Sequence, residues 1–249
     1  MSGHSKWSTI KHKKAKVDAQ KGITFAKYAR EITVAAKMGG CDPSANFRLR
    51  TAIEKAKESG LPNDNIKRAL EKASGIGGAN NIEELSYEGY AAGGVAVFVE
   101  AMTDNRNRTA GDIRSYFRKF NGNLGENGCV AWIFKPQGEI EISKENDFDT
   151  IFELVINAGA EDFIEDENSY KVITSVENLQ SVAEEIEKAG YNIAQAQLTR
   201  IPENTVEVTD EATAKHILRL LDTLESQDDV QNVYSNFDMK DELMEKVSF

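Results

Sequence analysis

Residues 94–134 read GVAVFVEAMTDNRNRTAGDIRSYFRKFNGNLGENGCVAWIF, and the changes of period inside this stretch decide the fold class. Gly94 to Met102 is a β-branched, apolar run of strand length. From Asn105 to Phe120 the apolar positions Ile113, Phe117 and Phe120 fall at helical spacing, and Cys129 to Phe134 returns to a buried-strand pattern. A sheet of only two strands is marginal in water, so this strand–helix–strand unit needs a partner. Thr205 to Val208, a helix from Asp210 to Leu224, and Val230 to Tyr234 supply one near the C-terminus. Pairing the two gives one split α/β domain.

Between the halves, Gly138 to Ser143 (GEIEIS) is followed by a helix around Ile151 to Ala158 and strands near Asp162 to Glu165 and Tyr170 to Thr174. A helix from Glu177 to Lys188 and a strand near Ala194 to Leu198 complete the series. The order βαββαβ is ferredoxin-like. On the N-terminal side, Phe25, Tyr28, Ala29, Ile32, Ala35 and Ala36 mark a helix over Lys21 to Lys37 that Gly39-Gly40 ends. Asp42-Pro43-Ser44 is read as the turn and cap of a second helix with Phe47, Ile53 and Ala56 inward and Gly60 as its stop. Leu61-Pro62-Asn63-Asp64 is read as the cap of a third, lined by Ile66, Ala69, Leu70 and Ala73 and closed by Gly75. The glycine-rich stretch from Ser74 to Asn81 is a linker by composition, and no strand precedes it to make a nucleotide cradle.

The fold class expected is therefore α+β: an N-terminal basic arm and three-helix bundle (1–78), a split α/β, ferredoxin-like domain (79–136 plus 204–249), and a second, acidic ferredoxin-like domain (137–203) inserted in it.

Charge divides the 249 residues more sharply than periodicity does. Residues 1–78 carry 16 Lys+Arg against 7 Asp+Glu, whereas the remainder carries 14 against 34, so the net charge of −11 hides a basic end. Within it the arm holds Lys6, Lys11, Lys13, Lys14 and Lys16 with no acid before Asp18, and Trp7, His4 and His12 lie among them. Lysines that neutralise phosphates release condensed counterions, and an exposed indole stacks on bases, so this composition suits a polyanion. Residues 137–204, with 4 Lys+Arg and 16 Asp+Glu, would be repelled by one. No stretch approaches the roughly 20 apolar residues of a membrane span, and the start lacks the apolar run of a secretory signal, so a cytoplasmic location is expected. Cys41 and Cys129 match no metal or redox spacing and are expected to be free, mostly buried thiols.

Four segments carry a resemblance. GHSKW followed by IKH near the start, MGG and DPSAN in the bundle, YEGYAAGGVAVFVEAMTDNRNRT in the second domain, and VQNVYSNF near the end resemble the YebC/PmpR family over nearly the whole chain. Ala91-Ala92 departs from the Gly-Pro that relatives usually show before Gly93-Gly94; a change in loop stiffness alone is expected. The resemblance implies a small cytoplasmic protein of three domains that binds DNA and regulates transcription. It also implies a translational alternative, because a mitochondrial relative activates translation and bacterial members are tied to stalled ribosomes.

Two sets of cations in the folded part join the arm as candidates. Arg48 and Lys55, and likewise Arg50 and Lys57, are seven residues apart on one helix, and Lys67, Arg68 and Lys72 stud the next. The motif Asp104 to Thr109 (DNRNRT) ends a strand and opens a helix, where Asn105 or Asn107 can cap while Arg106 and Arg108 contact phosphate. Reversing both arginines to Glu is expected to leave the cap and the fold intact. The candidate nucleic-acid-binding residues are thus Lys6, Trp7, Lys11, His12, Lys13, Lys14, Lys16, Arg48, Arg50, Lys55, Lys57, Arg106 and Arg108. His4, His12 and His216 find no Cys, Asp or Glu at ligand spacing, and no nucleophile has a readable base partner, so no metal, cofactor or catalytic residue is expected. The reading is a non-enzymatic nucleic-acid-binding regulator of gene expression, a DNA-binding transcriptional regulator, with a ribosome-associated, rRNA-binding translation factor as the alternative. A monomer is expected, with no membrane partner and no small-molecule substrate.

Overall fold

The computed structural model describes residues 18–75, 82–144, 148–166 and 169–247. In chain order the elements are α1 (Asp18–Gly39), α2 (Phe47–Glu58), α3 (Asn63–Ala73), β1 (Glu83–Tyr90), β2 (Ala96–Thr103), α4 (Arg106–Lys119), β3 (Asn123–Leu124) and β4 (Phe134–Ser143). They continue as α5 (Phe148–Asn157), β5 (Asp162–Glu165), β6 (Ser169–Thr174), α6 (Leu179–Lys188) and β7 (Ile193–Pro202). The last are β8 (Val206–Glu207), α7 (Glu211–Glu225), β9 (Val230–Ser235), β10 (Phe237–Asp238) and α8 (Asp241–Val247). The fold is mixed α+β. Two compact units divide it, one of residues 1–134 and 202–249 and the other of residues 135–201. The arm, and all but Ser74 and Gly75 of the glycine-rich stretch from Ser74 to Asn81, lie outside the described residues.

In the larger unit the first three helices close on Ile32, Ala35, Ala36, Leu49, Ile53, Ala56 and Ile66. The turn at Asp42 is present, its carboxylate accepting from Ser44 N at 2.9 Å, but the helix cap is Asn46, whose Oδ1 accepts from Leu49 N at 3.1 Å. Asn46 Nδ2 also donates to Ala35 O and Gly40 O at 2.8 Å each, tying the end of α1 to the start of α2. Gly39 is needed there, since a Cβ would stand 2.6 Å from the Asn46 amide. The third helix is a further correction: Pro62 occupies its N-cap and no side chain caps it, because proline carries no side-chain acceptor for the free amides of the first turn.

The sheet of this unit has the order β3-β1-β2-β9. Every pairing in it is antiparallel, and Glu83↔Thr103 to Tyr90↔Ala96 sets the β1–β2 register. Strand β2 is buried on both faces: Val97 and Val99 meet Ile113 and Phe117 of α4 and Ile217 and Leu221 of α7, while Ala96 and Phe98 meet Val130, Ile133 and Phe134. The C-terminal strand β9 does pair with β2.

Four expectations for this unit are corrected. Strand β1 was not anticipated, since its Glu83, Glu84 and Glu88 break the apolar alternation. Of the strand expected at Cys129 to Phe134, residues Cys129 to Ile133 are a loop with a 3₁₀ turn at Ala131–Ile133, and β4 begins only at Phe134. Glu88, buried on β1, accepts from Gly128 N (2.7 Å), Val130 N (2.8 Å) and Ala131 N (2.7 Å), so those amides have a carboxylate partner where a strand would need a neighbour. Trp132 consequently points outward, 65% exposed. The strand expected at Thr205 to Val208 stays out of the main sheet and pairs with β10 in a two-stranded parallel ribbon. Cys41 is exposed, contrary to a buried thiol, and Cys129 is half-buried.

In the smaller unit the strand order is β5-β6-β4-β7, with β6 antiparallel to both β4 and β5. Ile140 and Ile142 of β4, Val172 of β6, Ile151 and Val155 of α5, and Val182 and Ile186 of α6 are its buried apolar side chains. Among the described residues no helix is long and apolar enough to cross a membrane.

Candidate nucleic-acid interface

The exposed cations of the bundle arise from its amphipathic helices. Burial of Leu49, Ile53 and Ala56 turns Arg50 and Lys57 of α2 toward solvent, and burial of Ile66 and Ala69 does the same for Lys67, Arg68 and Lys72 of α3. Arg50 is half-buried, its guanidinium 5.3 Å from the Phe47 ring centroid, and Lys57, Lys67, Arg68 and Lys72 are exposed. None of these five forms an ion pair with another described residue. Lys55 is half-buried in the last turn of α2.

Arg48 is placed differently. Its Nε donates to Glu31 Oε1 at 2.8 Å, and its Nη2 binds Glu84 of β1, so it joins bundle to sheet. Burial alone would lower the Arg48 pKa, yet the two carboxylates reverse that and raise it. A guanidinium held in this way is a fastener first.

At the DNRNRT motif, Asn105 is the cap, its Oδ1 accepting from Arg108 N at 3.1 Å, as one branch of the sequence reading expected. The two arginines separate. Arg106 is exposed, with only a 3.7 Å approach of its Nε to Glu83. Arg108 Nη2 donates to Asp104 Oδ1 and to Asp229 Oδ2, both at 2.9 Å. Asp229, 1% exposed, also accepts from Thr109 Oγ1 at 2.8 Å, and its Oδ1 lies 3.2 Å from Arg30 Nη2 of the bundle. Burial would raise the Asp229 pKa, but bonds from Arg108 and Thr109 and the charges of Arg30 and Arg108 outweigh it and hold the carboxyl below its usual range. Arg30 further donates to Asp228 O, and Lys27 Nζ to Glu225 O at 2.6 Å, where the C-terminal carbonyls of α7 favour cations. Reversal of Arg108 would set a second carboxylate against buried Asp229, so the double reversal cannot leave the fold untouched.

Lys6, Trp7, Lys11, His12, Lys13, Lys14 and Lys16 lie outside the described residues. Of the rest, Lys57 and Arg106 are exposed and Arg50 is half-buried, while Arg48 and Arg108 bind carboxylates, Arg108 from an exposed position. Sequence reasoning overlooked Arg30 and Asp229, which are far apart in the chain and meet only in space. It also misplaced Trp132, whose indole Nε1 donates to Cys129 O at 3.1 Å while its face stays open.

These features define a class: a protein with cationic helices fixed to an antiparallel sheet and a separate acidic unit. The chain belongs to the TACO1/YebC family, the N-terminal domain model matching residues 5–76 and the model of the second and third domains residues 82–237. It is similar to a Geobacter sulfurreducens protein, 52% identical over 99% of this chain and all of that one, and to one from Persephonella marina, 53% identical over all of both. Each is named "Probable transcriptional regulatory protein". A crystal structure of a conserved hypothetical protein from Aquifex aeolicus is similar with a TM-score of 0.84 and 48% identity, over 93% of this chain and 96% of that one.

Proposed function

We propose that this chain is a non-enzymatic, nucleic-acid-binding regulator of gene expression, and specifically a DNA-binding transcriptional regulator acting as a cytoplasmic monomer. The observation that carries the reading is a set of cations, exposed Lys57, Lys67, Arg68 and Lys72 with half-buried Arg50, that form no ion pair among the described residues, on a bundle continuous in sequence with the lysine arm, in a chain that is otherwise acidic. The names of the relatives point the same way. In this reading Lys6, Lys11, Lys13, Lys14 and Lys16 contact phosphate, Trp7 and His12 assist them, and Arg106 adds a contact at the amino end of α4. Residues 1–78, 79–136 with 204–249, and 137–203 act as three domains, the last being ferredoxin-like and of a charge that a polyanion repels.

The test is fluorescence anisotropy of the full chain on duplex DNA and on an rRNA fragment across a salt series. Duplex binding with a steep salt slope that falls by up to about 4 on removing residues 1–16 is expected. Binding that is tight on rRNA and absent on duplex would replace the transcriptional reading with the ribosome-associated one.

A further inference from the structure

Helix α5 is apolar on two faces. Ile151 and Val155 are buried in the smaller unit, while Phe148, Phe152 and Ile156, each four residues on, are 36%, 44% and 41% exposed. The outer face is organised: the Phe148 and Phe152 rings stack at 5.9 Å with an interplanar angle of 8°. Phe163 of β5 sits 5.1 Å from Phe148 and 6.0 Å from Phe152, and Tyr170 of β6 packs 5.3 Å from Phe163. Four rings in mutual contact form a rigid platform, and a helix apolar on both sides is ordinarily covered on both. Contiguous apolar surface of this kind marks an interaction site in a soluble protein.

The rim decides what covers it. Asp149 and Glu153 stand beside the phenylalanines on α5, both exposed and without an ion pair to any described residue, and Asp162 is exposed on β5. The neighbouring cations are already neutralised, Lys144 by Glu165 at 2.7 Å and Lys171 by Asp166 at 3.0 Å. An apolar platform flanked by the carboxylates of Asp149, Glu153 and Asp162 repels phosphate and acidic surfaces and attracts cations. We propose that the α5–β5 aromatic face is a docking surface for a basic segment of another protein, one that sets an aromatic or aliphatic side chain among lysines or arginines. The apolar side chain seats on Phe148, Phe152 and Ile156, and the flanking cations face Asp149 and Glu153. The inference is independent of the nucleic-acid reading.

The experiment uses the full chain and two fluorescent probes: a short lysine-rich peptide carrying one tryptophan and one isoleucine, and its counterpart with both replaced by serine. The first should bind at least about tenfold more tightly than the second. Phe152→Ser with Ile156→Ser should abolish that difference, and Asp149→Lys with Glu153→Lys should weaken both probes and flatten their salt dependence. Hydrogen exchange on the unmutated protein, which needs no variant to fold, should show peptide-induced protection in residues 148–156 and 162–166. Equal affinity for both probes, or protection confined to other segments, would overturn the proposal. So would sedimentation showing that the parent self-associates and the Phe152→Ser, Ile156→Ser protein does not, since a second copy would then be the occupant.

Discussion

The bundle and the acidic unit treat charge in opposite ways. In the bundle the cations divide: Lys27, Arg30 and Arg48 bind carbonyls or carboxylates of the adjoining sheet region, while Arg50, Lys57, Lys67, Arg68 and Lys72 remain on the surface. In the acidic unit Lys135, Lys144, Lys171 and Lys188 each have a carboxylate partner, and the excess acid is what faces water. Surface charge that pairs contributes little to stability, so the unpaired remainder sets the field each region presents. One region is left positive and the other negative.

The strongest way to break this contrast is to reverse it. Arg50→Glu, Lys57→Glu, Lys67→Glu and Arg68→Glu together should weaken binding to duplex DNA by about a hundredfold or more at moderate salt and lower the salt slope by about 0.9 for each phosphate no longer neutralised. Four Glu→Gln changes in the acidic unit, at residues 177, 184, 185 and 187, should leave that affinity within about twofold. Anisotropy titrations compare the two directly.

A second measurement concerns the fastened cations. Asp229→Asn should cost about 3 kcal/mol in urea unfolding, because Arg30 and Arg108 lose the buried charge they share. The folded Asp229 carboxyl titrates below its unfolded value of about 3.9, so its contribution is complete above that pH and is lost as the pH falls through the folded value. The parent should therefore lose stability between neutral pH and pH 3 by more than the Asn variant does.

Glu88→Gln should cost somewhat less, about 2 kcal/mol by thermal melting, since an amide leaves one acceptor for three backbone donors. The smallest effect sharpens the comparison within one motif. Arg106→Glu should change stability by under about 0.5 kcal/mol while weakening nucleic-acid binding severalfold; Arg108→Gln should do the converse, destabilising through Asp229. If Arg106→Glu binds like the parent, the amino end of α4 is a structural cap alone.

Much of this was readable in the chain. Helical spacing in Phe25 to Ala36 and Ile66 to Ala73 located the bundle, because one buried face suffices to fix a helix. The sheets were harder. Strand β1 escaped notice because its acidic residues look like loop until Glu88 is seen bonding three amides some forty residues away. The loop Cys129 to Ile133 looks like a strand because it is apolar, and burial against Phe98 needs apolar residues whatever the backbone does.

The sequence by itself determined the α+β class, the family, the basic start and the acidic later part, since composition and local period are properties of neighbouring residues. Only the tertiary structure decided which cations are available. Arg106 and Arg108 are two residues apart in one motif, and nothing local distinguishes them. Their difference comes from Asp229, brought beside Arg108 by the pairing of β2 with β9 and buried there, where an unpartnered carboxylate would be costly. Burial and long-range pairing are not written in any short stretch of the chain, and they settle whether an arginine is held by a buried carboxylate.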